Sequence, residues 1–409
     1  SRCSCGKEHS FHTKIVEIRP GLTADCGLIL LEAGFPQKLL LVADNNTLKA
    51  SGQLREVLKA SGFILKEKIF DNLTYAFMKD VALLQELSRE VEGILAVGSG
   101  SVGDLCRLAS YRENKALAIY ATAPSMDGFA SDSAPIIENG FKLTHQAKQP
   151  EIILADTEVL AAAPSELKAA GFGDMAAKYT ALADWRIAHL LTGEYYCPEI
   201  AGLVNKGLDK VMSMADRVTQ NDTEAAGSIM EGLVMSGLAM SLAGSSRPAS
   251  GAEHVLSHFW ECKKLQADKW VEFHGKKTGV ASVVITRLYH ELSKYPAVKA
   301  HRDNTDWEAV KKAYGGELAV EMMKMNKPTI TDSLDPDIIS EKWPDICRIL
   351  RETLPETDRL IALLRQAGAA TEPSEFNVDD SLLELGIKYH SYMRHRVLLT
   401  RLLPMISLN

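Results

Sequence analysis

The sequence predicts an N-terminal α/β domain (residues 1–160) built on a parallel sheet, then an all-helical C-terminal domain (161–409), with the active-site cleft between them. Three observations carry this. Up to about residue 160, short apolar runs ended by Gly, Asn, Pro or Asp alternate with helical segments. Beyond "AAAPSELKAAGFGD" (161–174) the strand-like runs stop. The length of 409 residues allows about two to three domains, and 46% hydrophobic with 24% charged suits a globular chain and excludes a disordered or collagen-like one. In order, "KLLLVADN" (38–45), "GILAVGSG" (93–100), "KALAIYATAPS" (115–125) and "PEIILAD" (150–156) read as buried strands. "TLKASGQLREVLKASG" (47–62) and "MKDVALLQELSREV" (78–91) read as crossover helices. Strand–helix–strand alternation implies right-handed crossovers and a Rossmann-like parallel sheet, with ligands bound at the carboxyl ends of its strands. The second half reads as helix from "DMAAKYTALADWRIAHLL" to "YHSYMRHRVLLTRLL", punctuated by turns such as "SSRPASG" (245–251).

A net charge of −7 without a Lys/Arg block argues against nucleic acid, which needs a basic face; an anionic metabolite needs only one local positive pocket. The seven cysteines, Cys3, Cys5, Cys26, Cys106, Cys197, Cys262 and Cys347, are scattered and odd in number, with no secretory signal ahead of them. A reducing, cytoplasmic setting is therefore expected. Cys3, Cys5 and His9 make part of a metal knuckle, but a fourth ligand at suitable spacing is missing, so the segment reads as an inert N-terminal arm. The best candidate for a membrane span, "SIMEGLVMSGLAMSLAGSS" (228–246), contains Glu231 and many small residues; close helix packing in a core explains it better, and no span is expected.

Gly98, Gly100 and Gly103 come at the end of the second of these strands and just after it. Such glycines let backbone amides approach a pyrophosphate, or simply make a tight strand-to-helix turn. The spacing is not G-x-G-x-x-G followed by an acid, because the acid comes earlier, as Asp44. Asp44 would accept the hydroxyls of an adenosine ribose, or equally cap the helix that follows. In "ATAPSMDGFASDSAPI" (121–136), Thr122, Ser125, Asp127 and Ser131 are interleaved with small residues. They would satisfy their own backbone or recognise a polyol or a nicotinamide amide.

"GFGDMAAKYTALADWR" (171–186) reads as an amphipathic helix with Asp174 at its start and Lys178 one turn on. A cap would explain Asp174 taken alone. In "SGAEHVLSHFW" (250–260), however, His254 and His258 share one helical face, and sixteen residues past His258 comes His274, followed by Gly275. One carboxylate and two imidazoles leave open positions on a divalent metal, the catalytic rather than the structural arrangement, so Asp174 is read as a metal ligand.

"TAPSMDGFAS", "GFGDMAAKYTALADW", "SGAEHVLSH" and "HG", in that order, resemble the glycerol-1-phosphate dehydrogenases, the group that includes bacterial arabinose-operon proteins. These belong with the glycerol dehydrogenases, iron-dependent alcohol dehydrogenases and dehydroquinate synthases. The resemblance runs over roughly residues 10–400. It implies two domains, NAD(H) or NADP(H), and one divalent metal, Zn²⁺ or Ni²⁺, held by Asp174, His254 and His274. It places Asp127, Asp174 and His258 on the substrate with catalytic roles. Gly100, Ser101, Val102, Gly103, Asp104, Thr122, Ala123, Pro124, Ser125 and Ser131 fall on the cofactor beside Asp44. Ser99 replaces the middle of three glycines, Arg107 stands where Lys is common, and "HGKKTGV" is more basic than usual.

The implied activity is metal-dependent NAD(P)H reduction of glycerone phosphate to sn-glycerol 1-phosphate, and the reverse. Lys178, Arg247, Lys276 and Lys277 are the nearby cations for the phosphate. Proton exchange with solvent would pass through a hydroxyl–water–His258 relay. The alternatives are a dehydrogenase of glycerol or another unphosphorylated polyol, a dehydroquinate-synthase-like lyase, which typically has Glu where this chain has Asp174, and a non-catalytic metal-binding paralogue. The expected partners are the small phosphorylated substrate and further copies of the chain, as a dimer or larger assembly.

Overall fold

The computed structural model describes residues 3–138 and 141–408. The first part runs β1 (Ile15–Arg19), α1 (Cys26–Glu32), β2 (Lys38–Asp44), α2 (Asn45–Ala50), α3 (Leu54–Ala60), β3 (Ile64–Phe70), α4 (Met78–Ser88), β4 (Gly93–Gly98), α5 (Gly100–Arg112) and β5 (Ala116–Ala121). A hairpin of β6 (Ser133–Glu138) and β7 (Phe141–Gln146) precedes β8 (Ile152–Asp156) and α6 (Thr157–Ala161). Six strands form one all-parallel sheet in the order β1-β8-β5-β4-β2-β3.

Side chains alternate across it. Leu40, Val42, Ile94, Ala96, Ile119 and Ile153 join one core, and Leu39, Leu41, Ala43, Leu95, Val97 and Leu154 join the core on the other face. That two-sided burial is why the central strands read as unbroken apolar runs. The two edge strands carry charge instead ("IVEIR", "ILKEKIF") and keep partly exposed faces, so they escape a search for apolar runs. The helix expected over 47–62 is two, α2 and α3, parted by a turn that includes Gly52 at φ +57°.

The second part is α7 (Ser165–Ala176), α8 (Lys178–Thr192), α9 (Pro198–Met212), α10 (Thr223–Ala243), α11 (Ala252–Gln266), α12 (His274–Ser293) and five further helices, α13–α17, between Trp307 and Tyr389. It is not wholly helical: β9 (Val298–Ala300) and β10 (Ile406–Leu408) pair antiparallel, closing the chain end onto the bundle. Helix α10 is the one described helix long and apolar enough to cross a membrane, yet most of it is buried. Its Ala226, Met230 and Val234 pack into the sheet's core, and Ile229 and Leu233 pack among the helices. It therefore sits between the two parts, as its small and apolar residues suggest.

The sheet order reverses between β4 and β2. The carboxyl ends of these neighbours, Gly98 and Asp44, are where a parallel sheet opens its binding crevice.

Candidate active site

Helices α7 and α12 approach each other more closely than side chains would allow. A Cβ on Gly275 would lie 1.8 Å from the Ala170 carbonyl oxygen, and one on Gly171 would lie 1.9 Å from that of Pro124. Glycine here permits contact of backbones, and this contact carries Asp174 toward His274 and toward the loop after β5. Asp174 is not at a helix start, as the sequence pattern suggested. It lies in the last turn of α7, and α8 begins afresh at Lys178 after Ala177. Its carboxylate is fully buried and caps neither helix with its side chain.

Asp174 Oδ1 lies 3.6 Å from His254 Nε2 and 4.0 Å from His274 Nε2. The three donor atoms all fall within 4.8 Å of one another, a spacing that fits one divalent cation between them. His254 Nδ1 is 2.7 Å from Glu253 Oε1, which fixes the ring and leaves Nε2 facing Asp174. Glu253 is itself held by the Thr180 hydroxyl at 2.5 Å and the Gly251 amide at 2.7 Å. Burial alone would lower the His254 pKa, but Asp174 and Glu253 raise it to about 9. The carboxylates that favour a proton there favour a divalent cation in its place, whose binding releases that proton. Burial pulls His274 down to about 4, leaving a neutral imidazole suited to ligation.

Lys178, fully buried, bonds Asp174 Oδ1 at 2.9 Å and Asp127 Oδ2 at 2.7 Å. Burial works against both charges. Lys178 nonetheless holds the Asp174 carboxyl well below the usual range, and the two carboxylates keep Lys178 protonated. Asp127 Oδ2 also accepts from the Ser236 hydroxyl at 2.9 Å, and the Asp127 amide donates to Asp174 Oδ2 at 2.9 Å. The expected substrate residues Asp127 and Asp174 are thus joined directly.

His258 stands beside this group but outside it, its ring centroid 6.0 Å from that of His274 and 6.4 Å from that of His254. Burial lowers its pKa to about 3 despite Glu261 Oε2 at 3.3 Å from Nδ1, so it is a neutral acceptor. Glu261 is flanked by Lys142 at 2.9 Å and Lys277 at 3.1 Å, two cations to one carboxylate. Arg394, half-buried, has no described hydrogen bond or ion pair, and its charge bears on His258.

The phosphate-binding cations expected from the sequence are largely committed elsewhere. Arg247 forks onto Glu194 with both contacts at 2.6 Å and donates to the Val397 carbonyl at 2.8 Å. Lys276 pairs with Glu272 at 3.2 Å and Glu166 at 3.5 Å, and Lys178 serves the aspartates. Lys142 and Arg394 were missed. One comes from the β6–β7 hairpin and the other from the C-terminal "YMRHRV", segments that only folding brings together.

On the sheet side, α5 starts at Gly100 with its axis pointing at the crevice. The Gly103 amide bonds the Ser99 carbonyl at 2.9 Å, so the amides of Gly100, Ser101 and Val102 lack partners within the helix and suit an anion. A Cβ on Gly103 would meet no atom within 4 Å outside its own helix, so this face of α5 is open next to the glycine turn. Ser101 donates to the Thr74 carbonyl at 3.0 Å. The Thr122 amide bonds Gly98 at 3.2 Å, and the Ser125 hydroxyl bonds that of Ser99, so the loop through Ala123 and Pro124 lies against the glycine turn.

Three of the other expected cofactor residues have protein partners. Asp104, its carboxyl raised by burial, pairs with Arg107, which also donates to the Ser131 and Ser133 carbonyls and so ties α5 to that loop. Asp44 caps α2, accepting from the Thr47 amide at 2.8 Å and the Leu73 amide at 3.2 Å. The cap is thus realised, and it sits at the crevice beside the glycine turn.

Residues 17–164 match the family described as iron-containing alcohol dehydrogenase. A glycerol-1-phosphate dehydrogenase [NAD(P)+] from Geobacillus thermodenitrificans is 34% identical over 91% of this chain and 87% of its own length. One from Halalkalibacterium halodurans is 33% identical over 97% and 94%. Among solved structures, the NADH-dependent butanol dehydrogenase A of Thermotoga maritima superposes with a TM-score of 0.62 at 15% identity, covering 97% of this chain and 93% of that one; the likeness is one of fold.

Proposed function

The chain belongs to the glycerol-1-phosphate dehydrogenase family, within the iron-containing alcohol dehydrogenases, and from that premise we propose that it interconverts glycerone phosphate and sn-glycerol 1-phosphate with NAD(P)H. The observation that carries this reading is the convergence of Asp174, His254 and His274 at one wall of a crevice whose other wall is the glycine turn of β4. Asp174, His254 and His274 would hold the metal, and one carboxylate with two imidazoles suits Zn²⁺ or Ni²⁺. Bound metal supplies Lewis-acid polarisation of the C2 oxygen, and the nicotinamide supplies or takes the hydride.

The rest is done by the chain. Lys178 bridges Asp127 and Asp174 and offsets one of their two charges, so the two buried carboxylates can face a polar substrate with less mutual repulsion. Asp127 accepts a substrate hydroxyl through the oxygen that Lys178 and Ser236 leave open. His258, neutral and oriented by Glu261, passes the proton between the substrate side and solvent. Arg394, with the cationic excess of Lys142 and Lys277, compensates the phosphate dianion. Gly100, Ser101 and Val102 offer their amides to the cofactor pyrophosphate, and Asp44 faces the adenosine ribose.

The test compares NADH and NADPH oxidation with glycerone phosphate against glycerol oxidation and dehydroquinate formation. Glycerone phosphate should lead by orders of magnitude in kcat/KM. Comparable turnover of dihydroxyacetone would point to a neutral-polyol enzyme, and dehydroquinate formation to the lyase.

A further inference from the structure

The N-terminal arm folds back onto Cys197, far along the chain. Cys3 Sγ lies 3.6 Å from Cys197 Sγ, Cys5 Sγ lies 3.2 Å from His9 Nε2, and Cys197 Sγ lies 3.9 Å from the same nitrogen. All four donor atoms fall within 4.8 Å of one another. With Zn–S near ~2.3 Å and Zn–N near ~2.0–2.1 Å, the edges of a tetrahedral Cys₃His site are roughly 3.5–3.8 Å. The four atoms already stand close to those corners.

The surroundings orient the ligand atoms toward one centre. His9 Nδ1 is 2.8 Å from the Leu242 carbonyl, so it carries the proton and leaves the Nε2 lone pair aimed at the sulfurs. The Tyr195 hydroxyl lies 3.4 Å from Cys5 Sγ, within reach to donate to a thiolate there. Gly6 at φ +80° makes the turn between the first two cysteines and the histidine, with its amide on the Cys3 carbonyl at 2.9 Å. A simple Cys3–Cys197 disulfide would leave Cys5 and His9 pointing at the same centre without a reason.

We propose that Cys3, Cys5, His9 and Cys197 form a second, structural metal site that takes Zn²⁺ in a closed tetrahedral Cys₃His set. It is independent of the Asp174 cluster. Three soft thiolates and one imidazole select a thiophilic cation and leave no position open to substrate. The missing fourth ligand of the sequence motif is supplied from 188 residues beyond His9, at the residue preceding α9. The arm leads on through His12, Thr13 and Lys14, which bond residues 149–151, into edge strand β1. The site therefore fastens the sheet's first strand to the α8–α9 corner and to the end of α10.

The experiment uses the full chain with Zn²⁺ as the probe. Wild type should hold about two zinc ions per chain, and Cys5→Ser and Cys3→Ser about one, with kcat for the dehydrogenase reaction unchanged within about twofold and a melting point lower by roughly 5 °C or more. Both positions are half-buried, so neither variant removes core volume as Cys197→Ser would. Cobalt substitution should give thiolate-to-metal charge-transfer absorption in wild type that is absent from Cys5→Ser. Unchanged zinc content in both variants would overturn the proposal. So would a Cys3–Cys197 disulfide found by non-reducing peptide mapping of the metal-replete protein. If zinc behaves as proposed while glycerone phosphate is not reduced, the metal site stands and the reading of function fails alone.

Discussion

The two walls of the crevice are built from different parts of the residue. The sheet-side wall presents mostly backbone: unpartnered amides at the start of α5, the space at Gly103, and a loop whose hydroxyls bond their own neighbours. The helical wall presents side chains, with Asp174, His254, His274, His258 and Lys178 carried on α7, α8, α11 and α12. A wall of amides tolerates side-chain substitution and fails gradually, whereas a wall of ligands fails when one is removed.

The largest effect is therefore expected on the helical wall. His254→Ala or His274→Ala should cost activity at least about a thousandfold while far-UV circular dichroism stays the same. Each variant should lose one metal per chain by elemental analysis; retention of full metal in both would overturn the ligand assignment. His258→Ala sharpens the division of roles. It should keep the metal and lose about 10²–10⁴-fold in kcat, as for a lost acid–base group. If it sheds metal as readily as His254→Ala, the two histidines are not distinct in function.

Gly275→Ala asks whether the helical wall also rests on backbone. The added methyl would fall 1.8 Å from the Ala170 carbonyl and must push α12 off α7. Overpacking of this kind costs about 1–3 kcal/mol, and it would part Asp174 from His274. Lower melting together with weaker metal retention is the expected pair of results. A variant that melts lower but binds metal normally would show that the close crossing serves packing alone.

The same contrast governs what was legible in the sequence. Side-chain chemistry is written in letters, so Asp174 and the two separated histidine segments could be read as one site. The reason Asp174 is where it is could not. Local pattern put it at a helix start, whereas it lies in the last turn of α7, where Gly173 and Gly275 let α7 and α12 meet backbone to backbone. Buried strands β2, β4, β5 and β8 announced themselves by apolar runs; β1 and β3, half-exposed at the edges, did not. Lys142 and Cys197 were invisible as site residues because each meets its partners across a long stretch of chain, and Arg394 because it lies far along the chain from His258; no spacing rule reaches that far.

Arg394→Ala separates charge from ligation within the helical wall. A charge-assisted contact to phosphate is worth about 1.5–3 kcal/mol, which is about 10- to 150-fold in kcat/KM. The loss should fall on glycerone phosphate and leave dihydroxyacetone unaffected, and raised salt should weaken only the phosphorylated substrate in wild type. Equal losses on both substrates would mean that Arg394 supports the fold rather than the phosphate.

The smallest effect is expected at Asp44, on the sheet wall. Asp44 caps α2 through the Thr47 amide and reaches the Leu73 amide at 3.2 Å, which leaves its charge at the crevice where an adenosine ribose would lie. A carboxylate there accepts ribose hydroxyls and repels a 2′-phosphate, so wild type should favour NADH over NADPH. Asn45 and Asn46 beside it carry no charge, so preference rather than exclusion is expected. Asp44→Asn keeps one acceptor for the cap and removes the charge. It should cost about 1 kcal/mol of stability through the Leu73 contact and shift the NADPH/NADH ratio of kcat/KM upward by several-fold. A wild-type enzyme with the higher kcat/KM for NADPH, or a variant with an unmoved ratio, would leave Asp44 as a helix cap alone. The sheet wall would then recognise its cofactor through backbone only.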